Sequence, residues 1–566
     1  MDHRSQEKSW TVDDLTQKSK LIREGQPALY HLLTTRSNLE ESGKIRKLTF
    51  GQQEINTQNK IILMVGETGT GKTALINTIV NYILGVKFED HVWFEITAQP
   101  QTENQSQSQT AEITVYEVFV QNNSISVTII DTPGYGDTRG LEHDKEIAVN
   151  LWKLFKNETG VKEIDAVCLV LKASENRLSD RQLYIFDAVL SLFGKDIEEN
   201  IVICVTHSDG GPPTDAINAI KNANIPCRKE NGADPVHFLF NNRQSEQRTT
   251  KYERVFRNAW ELTEDSLKEF FTSLENQNRK SLETTKRVLT EQIQLRSCVS
   301  NLRERIELKE CKHEELVQIQ KVLKENQKKI QRNENFSFKV IRKHKEKVPI
   351  ENSSWRNRMA TCCSVCKENC HEYDCWCAIN PGWCEVMKDE FCTVCSGKCH
   401  HSKHVRENKE YVIKSEEVEI KFTDLIKQYG STDESAAGIS LDSDKFENVR
   451  KELDSNKKQT EEKISIESRL TAELKKIEEE KVRLVEETYT TIMKLSEIAL
   501  KPDSAFIVES LDFLIPRAEE AGHPDWVQKL KELREIEPEA QERVYSVQRY
   551  FRAGYNKVTS FLSGKK

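Results

Sequence analysis

Apolar and polar positions alternate between about residues 57 and 265 in a pattern typical of strands separated by helices. Amphipathic stretches at Ala74–Leu84 and Arg181–Leu192 predict two of these helices. The alternation favours an α/β fold with a mostly parallel sheet and helices on both faces. Strands are predicted at Ile61–Val65, Glu112–Val120, Ser124–Ile130, Asp165–Leu171, Ile201–Thr206 and Val236–Phe240.

The pattern changes after residue 265. Residues 266–335 contain neither glycine nor proline, and apolar residues recur there at heptad-like spacing from Val288 to Leu323. A similar stretch covers residues 446–500. Polar residues interrupt both seams, which argues against a long parallel zipper and favours an antiparallel coiled-coil hairpin within one chain. Two solvated helices without specific pairing are the alternative.

Alternating stretches at Phe336–Ile341 and Tyr411–Phe422 flank a cysteine-rich segment and predict a β-ribbon that carries it. Near the C-terminus, His523-Pro524-Asp525 predicts a helix start. The predicted organisation is an N-terminal adapter over 1–56, a nucleotide-binding domain over 57–265, a coiled coil over 266–335, a β-ribbon with a Cys/His-rich module over 336–422, a linker over 423–445, a second coiled coil over 446–500 and a C-terminal helical segment over 501–566.

Composition narrows the function classes. The chain has 566 residues, a net charge of −8 and no global basic field that would favour nucleic acid. The polar N-terminal residues lack the apolar core of a signal peptide, no run approaches the roughly 18 apolar residues of a membrane span, and neither end carries a lipidation motif. We expect a cytoplasmic protein whose 15 cysteines are thiols or metal ligands, not disulfides.

The first chemical motif lies between the Ile61–Val65 strand and the helix that follows. It is a complete G-x-x-x-x-G-K-[ST] sequence, the pattern of a phosphate-binding loop. Glycines allow backbone N–H groups to surround phosphate oxygens, Lys72 would reach the β- and γ-phosphates, and the Thr73 hydroxyl would bind Mg²⁺. A glycine-rich turn without a ligand is the alternative. The candidate binding residues are Gly66, Glu67, Thr68, Gly69, Thr70, Gly71, Lys72 and Thr73.

Two further segments are typical of a nucleotide switch. Asp131-Thr132-Pro133-Gly134 directly follows a strand, so that Asp131 would hold Mg²⁺ and the Gly134 N–H would sense the γ-phosphate. The polar stretch before the Glu112–Val120 strand would supply a threonine to the same ion. Thr110 is the best candidate and Thr102 the second.

A third segment, Thr206-His207-Ser208-Asp209, follows an apolar strand and is a candidate for binding the base of the nucleotide. The carboxylate of Asp209 would accept hydrogen bonds from both N–H donors of a guanine edge. Adenine would leave a polar group without a partner, which costs about 1–3 kcal/mol of binding free energy. Asn241 and Asn242 follow the last strand and would line the same pocket. An ordinary loop aspartate is the alternative for Asp209.

Together these motifs resemble the GIMAP-type (immunity-associated nucleotide-binding) and septin-like P-loop GTPases over about residues 57–265. The resemblance implies GTP or GDP and Mg²⁺ as ligands and a nucleotide-dependent dimer or oligomer as the partner state. His207 departs from the lysine that many GTPases carry in the guanine motif. Tyr135 replaces the glutamine that usually orients the attacking water, so no catalytic residue is assigned. The family resemblance implies slow intrinsic hydrolysis or hydrolysis stimulated by dimerisation.

The second chemical centre is the cysteine-rich segment, where ten of the 15 cysteines lie between Cys362 and Cys399. It contains two copies of C-x-V-C-x-x-x-C-H, which supply enough soft ligands for two tetrahedral Zn²⁺ sites. Reduced, unliganded thiols are the alternative, or disulfides if the compartment is oxidising. The candidate zinc ligands are Cys363, Cys366, Cys370, His371, Cys375, Cys377, Cys384, Cys392, Cys395, Cys399, His400 and His404.

Two functions compete. The first is a guanine-nucleotide switch, a slow GTPase that controls self-assembly or partner binding through the coils and the Cys-rich module. The second is a nucleotide-bound scaffold with negligible turnover that binds proteins through the same elements. A local basic patch around Lys398 to Arg406 raises nucleic-acid binding as a minor alternative, disfavoured by the lack of interleaved aromatic residues. No residue indicates membrane association, although the resemblance leaves it open.

Overall fold

The computed structural model divides into two compact units. The first comprises Met1–Thr290, Leu495–Val508 and Leu533–Lys566, and the second comprises Glu291–Lys494 and Glu509–Glu532. No helix in the described part of the chain has both the length and the hydrophobicity needed to cross a bilayer. The structure describes residues 10–39, 45–53, 57–97, 113–121, 125–132, 150–157, 159–326, 328, 336–350, 359–371, 380–429, 471–472, 474–476, 478–497, 500 and 505–535.

Small sheets and one large sheet build the first unit. Its strands are β1 Ser19–Arg23, β2 Ala28–Leu32, β3 Thr35–Asn38, β4 Ile45–Phe50, β5 Gln58–Val65, β6 Val92–Glu95, β7 Ile113–Val118, β8 Ile125–Asp131, β9 Glu163–Ile164, β10 Ala166–Lys172, β11 Ile201–Thr206, β12 Lys229–Glu230, β13 Asp234–Pro235, β14 His237–Leu239 and β15 Lys280–Ser281. The large sheet has the order β14-β11-β10-β5-β8-β7-β4-β3.

The large sheet is mostly parallel, as the sequence predicts. Strands β14, β11, β10, β5 and β8 are parallel to one another, and β4 is parallel to β7. Strand β7 pairs antiparallel with β8, and β3 pairs antiparallel with β4. Every residue of β11 is buried, as expected for a central strand covered on both faces. The carboxyl ends of β5, β8, β10 and β11 therefore lie at one edge of a buried sheet, where their loops meet.

Helices accompany these strands in the order that the alternating pattern predicts. Phosphate-loop helix α2 follows β5 directly. The helices that begin in the first unit are α1 Val12–Gln17, α2 Lys72–Ile83, α3 at residues 150–156, α4 Asp180–Leu190, α5 Thr214–Asn222, α6 Glu253–Glu275 and α7 Glu283–Glu325, most of which belongs to the second unit.

The N-terminal segment differs from the separate adapter predicted over residues 1–56. Strand β4 pairs in parallel with β7, and β3 extends the large sheet beyond it. Strand β2 pairs with β6, which lies after the phosphate-loop helix. The segment is thus part of the nucleotide-binding unit. Sequence pattern does not reveal this because β6 and β7, the partners of β2 and β4, lie far along the chain.

The boundary predicted at residue 265 falls inside α6. Beyond that point Leu267, Phe270, Phe271 and Leu274 are buried in the core of the first unit. Phe270 meets the ring of Phe238 edge to face, with 5.2 Å between ring centroids. These four residues follow the i, i+3, i+4, i+7 pattern, which is common to a core helix and to a coiled coil. The segment is therefore not the start of a coil.

In the second unit, α7 lies beside the helical residues 478–494. Lys494 pairs with Glu291 at 2.7 Å, and Glu480 pairs with Lys309 at 2.6 Å, so the two helices run in opposite directions. Leu484 is buried against Leu302 and Ile306 of α7. The predicted coil residues 446–470 lie outside the described residues.

A long ribbon is the other feature of this unit. Its two strands, β16 and β22, pair antiparallel over thirteen residues each, from Ser337↔Lys421 to Pro349↔Lys409, as the flanking pattern predicts. The remaining strands are β16 Ser337–Pro349, β17 Ala360–Cys363, β18 Glu368–His371, β19 Met387–Lys388, β20 Phe391–Cys392, β21 His404–Glu407 and β22 Lys409–Lys421.

The predicted linker over 423–445 needs a correction at its start. Residues Phe422–Tyr429 form helix α8 directly after the ribbon. Leu425 is buried with Leu316 and Ile319 of α7, so this segment has an apolar contact that holds it in a helix. Later helices span Ala505–Glu520 and Pro524–Glu535, the second beginning at the proline that the sequence predicts. The rest of the linker and residues 536–566 lie outside the described residues.

Candidate nucleotide-binding site

The phosphate-binding loop connects β5 to α2 and ends on a left-handed glycine. Gly71 has a φ of 91° and caps the helix, which begins at Lys72. A side chain at that φ would strain the backbone, so glycine permits the sharp entry into α2. Gly66 is required for a different reason, since a Cβ there would meet the backbone oxygen of Val170 at 2.7 Å. The loop therefore passes directly against β10.

Lys72 is held inside this loop. Its Nζ donates to the backbone oxygen of Gly66 at 2.8 Å, and only 8% of the residue is exposed. Burial lowers the pKa of Lys72, while the negative charges of Asp131 and Glu67 oppose that shift. A buried ammonium beside backbone N–H groups and a helix N-terminus is an environment that favours an anion. Thr73, the next residue, is exposed on the first turn of α2.

Asp131 lies at the end of β8, opposite Met64 of β5 in the parallel register. It is 3% exposed, and its Oδ1 has no hydrogen-bond partner among the described residues. Burial raises the pKa of Asp131 to about 6, and the positive charges of Lys72 and Arg46 oppose this rise. A buried carboxylate oxygen without a donor is suited to a hard cation such as Mg²⁺, so the residues fit the ion that the motif predicts.

Of the other residues in the switch motifs, the structure describes Thr132 but not the remaining candidates. Thr132 donates its hydroxyl to the backbone oxygen of Met64 at 2.9 Å and so fastens the motif to β5. Thr110, Thr102, Gly134 and Tyr135 lie outside the described residues.

Thr206 connects the guanine motif to the phosphate loop. Its hydroxyl donates to the backbone oxygen of Thr70 at 2.6 Å, and its Oγ1 lies 3.1 Å from Nδ1 of His207. His207 has a φ of 54°, which turns the chain sharply after β11. Burial lowers the pKa of His207, and the charge of Lys172 lowers it further. Thr206 and His207 thus lie beside the loop, as the motif requires.

The predicted base-contacting residues follow the ends of two neighbouring parallel strands, β11 and β14. Asp209 is exposed and accepts a hydrogen bond from the Gly211 N–H at 2.9 Å. Both polar side-chain atoms of Asn242 are buried and have no partner among the described residues. The backbone N–H of Asn241 donates to Thr263 Oγ1 at 3.3 Å. Of the two predicted asparagines, Asn242 is thus the one whose side-chain amide is buried without a hydrogen-bond partner among the described residues.

In the second unit, seven of the predicted zinc ligands form two groups. Cys363, Cys366, Cys395 and Cys399 constitute one, and Cys370, Cys392, Cys395 and His404 the other. His371 and Cys384 belong to a third group with Glu385, in which His371 Nδ1 lies 3.2 Å from Cys384 Sγ. His400 lies apart from these, near Glu390 and His401. Cys375 and Cys377 lie outside the described residues.

Sequence reasoning missed two residues. Arg46 contributes positive charge near Asp131, but it belongs to β4, whose place in the sheet the pattern does not reveal. Glu385 joins a candidate metal group, and its position directly after Cys384 is the signal that was available.

A family model matches residues 60–255, and that model is the AIG1 family. Residues 60–255 form an AIG1-family domain. The P-loop GTPase resemblance predicted from the motifs is confirmed for this part of the chain. The AIG1-family domain contains every motif residue assigned above to the phosphates, to Mg²⁺ and to the base.

Among curated proteins, the chain is similar to Septin-14 of Mus musculus and of Homo sapiens, with 36% identity in each case over 76 residues. The match spans 13% of this chain and 15% of those relatives, so only a small part of their length is shared.

Among solved structures, Toc33 from Arabidopsis thaliana in complex with GDP and Mg²⁺ gives 15% identity and a TM-score of 0.28, covering 38% of this chain and 85% of that one. The G domain of the FeoB iron transporter from T. maritima gives 15% identity and a TM-score of 0.21, covering 39% of this chain and 98% of that one. At these TM-scores the structures carry no weight beside the family match.

Proposed function

We propose that this protein is a guanine-nucleotide-binding switch with slow or dimer-stimulated GTP hydrolysis, which controls self-assembly or partner binding. The observation that carries the proposal is that buried Lys72 lies within electrostatic reach of buried Asp131, whose Oδ1 has no hydrogen-bond partner among the described residues. Burial disfavours the charged form of both side chains, and their charges are opposite. This arrangement is expected of a site that binds a phosphate together with its metal counter-ion.

Each residue has a distinct task in this proposal. Lys72 would exchange its hydrogen bond to Gly66 for one to the β- or γ-phosphate, and the N–H groups of the loop would surround the same oxygens. Asp131 and Thr73 would hold Mg²⁺, which neutralises phosphate charge when bound. Thr110 and the Gly134 N–H would complete the switch on the γ-phosphate side.

Asp209 is proposed to select guanine, with Asn242 and His207 at the edge and face of the base. Asp209→Asn tests this by hydrogen-bond polarity. An amide offers one donor and one acceptor, so it mismatches the two N–H donors of guanine but fits xanthine, which presents a carbonyl in place of the exocyclic amine. We expect fluorescent GTP to bind at least ~10-fold more weakly and xanthosine triphosphate to bind better, since one mismatched polar contact corresponds to about 1–3 kcal/mol.

The matched control for this experiment is Asp215→Asn, an exposed aspartate in the first turn of α5. Binding of GTP should be unchanged in that variant and lost in Lys72→Ala. Equal affinity of the wild type for ATP and GTP would contradict the guanine assignment.

A nucleotide-bound scaffold with negligible turnover is the second candidate, favoured by Tyr135 at the usual position of the water-orienting glutamine. Single-turnover hydrolysis measured against protein concentration separates the two. A rate that climbs with concentration supports stimulation by dimerisation, and a flat rate near zero supports the scaffold.

The second unit is proposed to act as the effector arm. The antiparallel contacts of α7 with residues 478–494 support a coiled-coil hairpin, and the grouped thiols support zinc binding by the Cys/His-rich module. A cytoplasmic location, where thiols stay reduced, belongs to the same proposal. The arm would bind protein partners.

A further inference from the structure

The two groups of sulfur and imidazole ligands in the Cys/His-rich module share one residue. Cys395 belongs both to the group with Cys363, Cys366 and Cys399 and to the group with Cys370, Cys392 and His404. Within each group all ligand atoms lie within 4.8 Å of one another. Seven side chains thus surround two potential metal positions, which is one fewer than two separate four-coordinate sites require.

The spacing of the sulfurs is compatible with zinc ligands and not with a disulfide. Cys366 Sγ and Cys399 Sγ are 3.7 Å apart. A disulfide would hold them at about 2.05 Å. Two thiolates on a tetrahedral zinc, each with a Zn–S bond of about 2.3 Å, would be separated by roughly 3.8 Å. The measured separation agrees with the zinc geometry and excludes the disulfide.

Backbone donors point at the sulfurs, which is a second and independent sign of thiolate ligands. The Gly397 N–H donates to Cys366 Sγ at 3.3 Å, and the Cys399 N–H donates to Cys395 Sγ at 3.2 Å. Such bonds stabilise negative charge on sulfur. A Cβ on Gly397 would lie 3.1 Å from Cys366 Sγ and 3.0 Å from Cys399 Sγ, so glycine is what lets this turn approach them.

The ligands alternate between the two groups along the chain. The first C-x-x-C pair, Cys363 and Cys366, joins Cys399 of the second repeat, while the second pair, Cys392 and Cys395, joins Cys370 of the first repeat. Strand pairing places the two groups side by side, since Cys363 of β17, a member of the first group, lies opposite His404 of β21, a member of the second. Each metal position therefore connects both copies of the repeat.

We propose that the module binds two zinc ions in a cross-braced centre, with Cys395 as a thiolate shared by both. The first ion takes Cys363, Cys366, Cys399 and Cys395, and the second takes Cys370, Cys392, His404 and Cys395. Binding releases the protons of six thiols to solvent, and His404 is neutral when it coordinates. This inference rests on the zinc binding in the proposed function and adds to it the ligand sets and the bridge.

The centre is tested on the full chain, purified under reducing conditions without chelator. Elemental analysis should give two zinc ions per chain. After exchange for ¹¹³Cd, NMR should show two cadmium resonances that are coupled to each other through the shared sulfur. The coupling is measured in the wild type, so this result does not depend on whether a variant folds.

Variants then assign the ligands. Cys399→Ser should lower the zinc content by one ion and Cys370→Ser by one ion, while Cys395→Ser should weaken both sites. Cys311→Ser, on α7 outside both groups, should keep two ions and the coupling. Two cadmium resonances without coupling would overturn the shared ligand and leave zinc binding intact. Less than one zinc ion per wild-type chain would overturn the zinc-binding proposal itself.

Discussion

At the scale of single residues, Asp131 opposes the stability of the nucleotide-free protein. Its pKa rises from 3.8 to about 6 because it is buried. The folded chain therefore keeps a proton on Asp131 that the unfolded chain releases over this pH range. The favourable contribution of this group is present below pH 3.8 and is lost as the pH rises through about 6. The loss is on the order of 3 kcal/mol, because each pKa unit corresponds to about 1.4 kcal/mol.

Asp131→Asn should consequently stabilise the nucleotide-free protein at pH 7 and stabilise it less at pH 5. In the same variant, the Mg²⁺-dependent stabilisation by GTP should disappear. Thermal unfolding at the two pH values, with and without GTP and Mg²⁺, checks both effects. A variant that is equally destabilised at pH 5 and pH 7 would contradict the assignment of a strained, ion-binding carboxylate.

Thr206 makes a different kind of prediction, because it holds the phosphate loop without contacting phosphate in this account. Thr206→Val keeps the shape of the side chain but removes the hydroxyl that donates to Thr70 and Leu171 oxygens. We expect unfolding free energy to fall by about 1–3 kcal/mol, as for a buried group left unsatisfied. Denaturant unfolding measures this loss. Thr206→Ser keeps the hydroxyl and should therefore retain most of the unfolding free energy. Equal losses in both variants would mean that only the packing of the side chain matters.

At the scale of elements, one buried ion pair joins the Cys/His-rich module to α7. Arg305 donates twice to Glu368, with both contacts at 3.0 Å, and donates to the backbone oxygen of Val394 at 2.8 Å. Glu368 in turn accepts the Ser396 N–H at 2.8 Å. The side chains are only 10% and 7% exposed. This small network therefore fixes β18 and the second C-x-x-C loop on one helix.

Removing one partner should be far more harmful than removing an exposed pair of the same type. Arg305→Ala leaves Glu368 buried and uncompensated, so we expect a loss of about 3–5 kcal/mol. The matched control is Lys339→Ala on the ribbon, where the pair with Glu417 is 66% and 61% exposed and should contribute nothing measurable. Chemical unfolding of the second unit compares the two. Similar effects of both substitutions would contradict the buried network.

Local signals in the sequence predicted individual elements well. The strand Ile201–Thr206 was predicted with the bounds observed, because a short apolar run between polar loops leaves little choice. Long-range pairing was not predictable, so β4 was assigned to an adapter although it lies in the large sheet. Periodicity also failed to separate α6 from a coil, since an apolar stripe does not specify what it packs against.

The same limit applies to the sites. Gly66, Lys72 and Asp131 were assigned from a motif whose geometry is local, and the structure brings these residues together. The grouping of the zinc ligands was not predictable, because Cys370 and Cys399 each join the other copy of the repeat. The positive charge of Arg46 near Asp131 was missed, since it depends on where β4 enters the sheet.

At the scale of the whole molecule, the chain combines an AIG1-family domain in one unit with an arm of helices, ribbon and thiol-rich module in the other. All residues with proposed nucleotide contacts belong to the first unit, and all proposed zinc ligands belong to the second. If the nucleotide state controls assembly, exchange of GDP for a triphosphate must change the mass of the particle. A scaffold with a structural nucleotide would keep one mass in both states.

Size-exclusion chromatography with light scattering tests this claim most directly. The full chain is loaded with Mg²⁺ and either GDP or a non-hydrolysable GTP analogue, and Lys72→Ala serves as the variant that should not respond. We predict a monomer with GDP and a dimer or larger assembly with the analogue. The same mass with both nucleotides, at protein concentrations where nucleotide binding is complete, would contradict the switch.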